Sequence, residues 1–268
     1  MQHRVATSIV QPQPHAGVAR HSGGLTRGRA TGIAAGLACV AIAAAGCSTV
    51  TSQAKNSQGV RLFQQGAYPQ AAAEFQKAIA ANPDSADGYY NLAASLHKTG
   101  AIHNRPADLQ QAEVLYNQCL ERNPDHLECY RGLAVLLTET SRRDAAFRLL
   151  NNWDRASPAN PDPKIELARL LEESGQPEQA KAQLVAALTA DPNNARAFTA
   201  LGRLRDQSGE YQQALADYQR SLQLNRFQPD VTARVAALNA ALGGAATGVP
   251  PVQPPGRMAN QWRPSVRY

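Results

Sequence analysis

The chain has 268 residues, 43% of them hydrophobic and 18% charged, with a formal net charge of +6 at pH 7. The excess is uneven: residues 1–46 hold four arginines and no acidic residue, which leaves 23 basic and 21 acidic residues in the rest. A near-neutral body argues against nucleic acid as the partner, because phosphate backbones are recognised through clustered positive charge.

The leading segment reads as a signal for export. Arg27 and Arg29 precede an apolar run over residues 32–45, and Ala43-Ala44-Ala45-Gly46-Cys47 follows. A positive region, a short apolar stretch and small residues before a cut make up a signal peptide. The run is too short for a comfortable membrane span. Gly46-Cys47 resembles the lipobox of bacterial lipoproteins, although Ala44 stands where that family favours leucine. The resemblance implies a leader over 1–46, lipidation at Cys47 and a tether over 48–51. Several acyl chains on Cys47 would anchor the chain stably to a membrane. Ser48, rather than aspartate, after the cysteine implies the periplasmic face of the outer membrane. The alternative is cleavage after Ala45, which leaves a soluble periplasmic or secreted protein.

Past the leader the chain repeats. Pro83, Pro124, Pro158 and Pro192 close helical patterns at spacings of 41, 34 and 34 residues. Twelve positions before each stands a small residue: Ala71, Ala112, Ala146 and Ala180. Eight before stands a larger one: Phe75, Tyr116, Leu150 and Leu184. A fifth copy has Ala214 and Tyr218, with Arg226 in the proline slot. The pattern resembles the tetratricopeptide repeat (TPR) family, whose unit is a 34-residue helix–turn–helix. The resemblance implies an all-α, right-handed solenoid with repeats at 52–85, 86–126, 127–160, 161–194 and 195–228. One repeat cannot bury its apolar face alone, so stacking must make the core continuous.

Within this frame, Gly66, Gly100, Gly175 and Gly209 are expected to end the first helix of a pair, and Asp84, Asp125 and Asn193 to cap the next helix. Repeat two carries a seven-residue insertion near residues 102–108, expected as a longer turn. In repeat three Ser141 takes the glycine slot, and Trp153 a slot where the family prefers alanine; a core role is expected for it. Val231, Val235, Leu238 and Leu242 give one apolar face to a capping helix over 229–242. Residues 243–268 are rich in proline and glycine, and the termini are expected to be disordered.

Chemistry is sparse. Cys39 leaves with the leader, so Cys119 and Cys129 remain, on helices that neighbour each other in a TPR stack. A disulfide between them and two buried free thiols both stay open. His97, His103 and His126 show no metal-ligand spacing with the cysteines and read as surface histidines. No phosphate loop, H-E-x-x-H motif or nucleophile elbow occurs. The expectation is a non-enzymatic scaffold without cofactor or metal.

In the TPR family the first helix of each repeat lines a concave groove that receives peptide segments. The resemblance places Phe63, Tyr90, His97, Arg131, Ile165, Arg169 and Arg203 there, and aromatic and arginine residues are the usual anchors. Of the family's carboxylate-clamp positions only Asn91 fits; Asn56, Val60, Glu128 and Gly132 occupy the others. The resemblance implies a membrane-anchored scaffold of the kind that assists pilus, secretion or envelope-complex assembly. The alternatives are a peptidoglycan- or polysaccharide-binding protein using the tail from Trp262 to Tyr268, or a non-catalytic subunit of an envelope enzyme.

Overall fold

The computed structural model describes residues 51–244 of the chain. The leader, Cys47, most of the expected tether and the tail beyond Gly244 lie outside the described residues. Among the described residues all regular structure is helical. Helix α1 covers 51–64, so Thr51, expected at the end of the tether, is already helical. There follow α2 (Tyr68–Ala81), α3 (Ala86–His103), α4 (Pro106–Arg122), α5 (Leu127–Glu139) and α6 (Arg143–Ala156). The series continues with α7 (Asp162–Glu173), α8 (Pro177–Ala190), α9 (Ala195–Gln207), α10 (Tyr211–Leu224) and α11 (Pro229–Gly244). Each helix from α2 onward packs on its neighbour in sequence. Helices α3, α5, α7 and α9 also touch in succession, so the first helices of the hairpins form one layer. No described helix is long and apolar enough to cross a membrane.

One reversal recurs five times. The backbone N–H of Ala67, Arg105, Arg142, Gln176 and Glu210 donates to the carbonyl five residues earlier, on Leu62, Gly100, Leu137, Leu171 and Arg205. That bond spans a residue in left-handed conformation and satisfies a carbonyl left over at the end of the helix. The left-handed residues are Gly66, Asn104, Ser141, Gly175 and Gly209. Gly100 is therefore not a turn residue, contrary to expectation. It lies inside α3, and a Cβ there would stand 2.8 Å from Leu109, so the glycine lets α4 pass close by. The insertion lengthens α3 and α4 to 18 and 17 residues instead of enlarging the turn. Asparagine tolerates the left-handed region, so the turn simply moves to Asn104.

The link from one hairpin to the next is also repeated. Asn82, Asn123, Asn160, Asp191 and Asn225 each accept, through the side-chain oxygen, the N–H two residues on. The caps fall one residue later than expected. Ser85, His126 and Asn194 accept from the N–H groups of Gly88, Cys129 and Ala197, whereas Asp84, Asp125 and Asn193 do not cap. Asp125 instead accepts the indole N–H of Trp153 and the hydroxyl of Ser157, at 2.9 and 2.8 Å.

The core follows the small-and-large alternation. Ala71, Ala112, Ala146, Ala180 and Ala214 are wholly buried. A Cβ on Gly59 would meet the Phe75 ring at 2.5 Å, and one on Gly132 the Tyr116 ring at 2.6 Å. Trp153 is a core residue: its ring stacks on Tyr130 at 4.0 Å between centroids and 6° between planes. Helix α7 joins two clusters, since Leu167 and Leu170 belong to the core of α1–α6 while Ile165, Ala168 and Leu171 pack with α8 and α9. Val231 and Leu238 bury the last face against Ala214 and Tyr218, and the capping helix runs on through Gly243 and Gly244.

A non-glycine residue held in the left-handed region costs of order 1 kcal/mol. Ser141→Gly is expected to raise stability by about 0.5–1 kcal/mol in urea unfolding, with Asn104→Gly gaining less, because asparagine already accepts that conformation.

Candidate functional site

Three helices of the inner layer, α5, α7 and α9, line a cavity of about 370 Å³. Arg131 reaches it from α5, Arg169 from α7, and Arg196 and Arg203 from α9. Successive helices in the layer lie side by side, and a 34-residue repeat returns equivalent positions to the same height. Residues 131, 165 and 199 are one such series, and 135, 169 and 203 another.

The floor of the cavity is Glu166, whose side chain is 1% exposed. Its Oε1 accepts from Arg131 Nη2 at 2.6 Å and from Arg196 Nη2 at 2.9 Å, and its Oε2 from Arg169 Nε at 3.1 Å. Burial alone would raise its pKa, but Arg131 beside it, then Arg169 and Arg196, outweigh burial and hold the carboxyl at about 2. Burial likewise opposes the charge on Arg131, and Glu166 more than offsets it, so that guanidinium is held protonated. Glu172 takes both ends of Arg203 in a parallel fork, at 2.8 and 2.6 Å. Glu128, Asp162 and Glu173 hold the outer edges of Arg131, Arg196 and Arg169.

The arginines nonetheless face outward in part. Their side chains keep 23, 15, 41 and 32% of their area in the order 131, 169, 196, 203. Arg169 Nη2 is buried without a partner among the protein atoms. The four guanidinium groups are paired with five carboxylates in all; Glu166 and Glu172 line the cavity, while Glu128, Asp162 and Glu173 stand at its edges.

Arg131, Ile165, Arg169 and Arg203 therefore come together in one cavity. Tyr90, His97 and Phe63 do not join them. Tyr90 has no exposed surface, His97 is 1% exposed, and Phe63 packs in the core beside Tyr68, so these three offer a ligand no accessible face. The large side chain of Tyr90 fills space between hairpins, next to Tyr116 and His126. His97 and His126 are buried, contrary to the expectation of surface histidines. His97 bridges Tyr116 and Glu139, and His126 meets Asp87 at 3.0 Å. His103 is exposed at the end of α3.

Cys119 and Cys129 form a disulfide between α4 and α5, with Cα atoms 6.5 Å apart. The imidazole of His126 stands with the two sulfurs, all three ligand atoms within 4.8 Å of one another, although their spacing in sequence suggested no such grouping. Glu166 and Arg196 were missed by sequence reasoning. A signal existed for the first: the positions 34 residues on either side of Glu166 are Gly132 and Ala200, so a carboxylate stands where its counterparts are small.

A stack of helical hairpins with a polar cavity on its inner layer defines the class: an α-solenoid that holds a partner by contact. Descriptions of the tetratricopeptide repeat match residues 59–100, 141–204 and 195–228. The chain belongs to the tetratricopeptide repeat proteins, which are scaffolds for protein–protein interaction that take peptides or proteins in their groove and are typically non-catalytic. It is similar to "Peroxisome biogenesis protein 5" of Arabidopsis thaliana, 29% identical over 140 residues; the match covers 48% of this chain and 18% of that protein. Among solved structures it is similar to a thermophilic TPR protein of Thermus thermophilus. That likeness has a TM-score of 0.52 and 24% identity, covers 70% of this chain and 98% of the other, and concerns the fold.

A buried carboxylate among three guanidinium groups links stability to pH. With its folded pKa near 2, below the ordinary value of about 4.3, Glu166 contributes stability that is full above pH 4.3 and is lost as pH falls toward 2. Glu166→Gln is expected to cost about 3 kcal/mol at neutral pH, the free-energy equivalent of lowering that carboxyl from about 4.3 to about 2, because it removes the charge that Arg131, Arg169 and Arg196 share. The gap from the wild type should shrink as pH drops from about 4.3 to 2, read by chemical unfolding at a series of pH values.

Proposed function

We propose that this chain is an envelope scaffold that docks acidic segments of partner proteins on the arginines of its inner layer. The carrying observation is the convergence of Arg131, Arg169, Arg196 and Arg203 on one cavity, each with part of its side chain still exposed beside its carboxylate partners. Guanidinium groups present fixed, planar forks that match carboxylates, and arginine is enriched among residues that dominate interfaces. The ion pairs within the cavity hold the arginines in place before a ligand arrives, which reduces the ordering cost of binding. The scaffold does no chemistry of its own, and its near-neutral body gives no reason to expect nucleic acid as a ligand.

The same reading places the chain outside the cytoplasm, lipidated at Cys47 and held on the periplasmic face of the outer membrane. The leader and the Gly46-Cys47 pair support it, and so does the Cys119–Cys129 disulfide, a bond that persists in oxidising compartments. Assembly of a pilus, a secretion machine or another envelope complex suits an anchored docking surface.

Fluorescence anisotropy with a library of peptides rich in aspartate and glutamate tests the docking site. Arg169→Ala and Arg203→Ala should each weaken the best binder at least tenfold, about 1.4 kcal/mol. Arg122→Ala, on α4 and stacked over Tyr89, should leave affinity unchanged. Equal binding by all three variants, or a preference for basic peptides, would overturn the reading.

The anchor is tested separately by fractionating cells of a diderm bacterial host that express the full chain. Cys47→Ser should move the protein from the membrane pellet to the soluble fraction; an unchanged pellet would count against lipidation.

A further inference from the structure

We infer that Cys119, His126 and Cys129, once the two sulfurs are reduced, form a binding site for monovalent copper. The three side chains come from the end of α4, the link after it and the start of α5. All are buried, and their ligand atoms lie within 4.8 Å of one another. Two thiolates and an imidazole are a soft, sulfur-rich donor set, the kind that selects Cu(I). Among the described residues three such side chains make up the group. A three-donor site closed to solvent suits trigonal Cu(I) better than Zn(II), which wants a fourth ligand from protein or water.

The histidine is already arranged as a ligand. A backbone N–H can only donate, and that of Cys129 points to His126 Nδ1 at 3.2 Å. Nδ1 therefore carries the lone pair, and the ring proton lies on Nε2, where it is donated to Asp87 Oδ1 at 3.0 Å. A carboxylate on the far nitrogen is the arrangement that orients a metal-binding imidazole and raises its basicity. The lone pair faces the backbone N–H of Cys129, the residue that supplies one of the two sulfurs. Copper entering the site would take that lone pair, and the Cys129 N–H would give up its bond to the ring.

The disulfide and the metal site are exclusive states of the same two sulfurs. A phosphine reductant converts the disulfide to the two free thiols in a balanced step. Phosphorus attacks one sulfur, a P–S bond forms and the S–S bond breaks. Water then releases the phosphine oxide, so phosphorus supplies the two electrons and both cysteines end as thiols. Cu(I) binding displaces the two thiol protons to solvent, and the copper keeps its oxidation state. The site shares no residue with the arginine cavity, so its fate is independent of the docking reading.

The test uses the full chain carrying Cys39→Ser and Cys47→Ser, so that Cys119 and Cys129 supply its thiols, reduced with a phosphine under anaerobic conditions and titrated against the Cu(I) complex of bicinchoninate, whose colour fades as copper leaves. The reduced protein should remove one equivalent, and the disulfide form none. His126→Asn should bind at least tenfold more weakly, and Asp87→Asn about tenfold more weakly. Asparagine at 126 still caps α5, so unchanged helical circular dichroism separates loss of a ligand from loss of fold. X-ray absorption of the loaded protein should show two sulfurs and one nitrogen around copper. The inference is overturned if the reduced chain leaves copper with the chelator, or if His126→Asn binds as tightly as the wild type.

Discussion

Two helices can cross at the distances seen here only where one of them presents almost no side chain. Glycine and alanine recur at the crossings, and a ring or branched side chain from the facing helix fills the space they leave. Interiors packed this densely tolerate little added volume, so the crossing residues set how closely each hairpin closes and how it sits on the next. The inner layer of first helices is a consequence of that closeness. So is the cavity, because the arginines converge only if α5, α7 and α9 lie side by side at the same height.

Burying Glu166 needs compensation. A lone carboxylate taken out of water costs several kcal/mol, and three guanidinium groups around it offset that cost. The arrangement gains little net stability over an apolar floor, but it orders long, flexible side chains that would otherwise sample many rotamers. Helix α7 is the hub: it supplies Glu166, Arg169 and Glu172 to the cavity while its other positions join two hydrophobic clusters. Packing and charge are thus coupled on one helix, and a change there acts on both.

The link between α4 and α5 concentrates a different chemistry. His126 caps α5 by accepting from the Cys129 N–H and meets Asp87 on α3, so a single imidazole ties two helices together. The disulfide beside it adds a covalent tie between the same two hairpins. Trp153 on α6 reinforces the junction by donating its indole N–H to Asp125 in the link. Residues with potential reactivity are thereby placed where the structure is most cross-linked and least open to solvent.

Much of the architecture was legible in one dimension because it rests on local, periodic causes. The spacing of alanines and rings, the prolines in the first four links, and Val231, Val235 and Leu238 on one face of α11 are readable without coordinates, since helical geometry alone sends the apolar positions to one side. The left-handed turns at Gly66, Gly175 and Gly209 follow from the missing Cβ. The move of a turn from Gly100 to Asn104 does not, because helix lengthening and a longer loop are both compatible with the same insertion, and contact between α3 and α4 decides. The positions of Arg131, Arg169 and Arg203 were readable from repeat register and that of Arg196 was not, whereas Tyr90 and His97 occupy equally good slots yet lie in the core. A slot gives the direction from one helix axis; whether that direction meets solvent depends on the neighbouring hairpin. The sequence by itself determined the helical repeat and its period. Only the tertiary structure decided which polar groups meet, Glu166 with its three arginines and His126 with two cysteines, because those encounters depend on distances between helices that no spacing along the chain encodes.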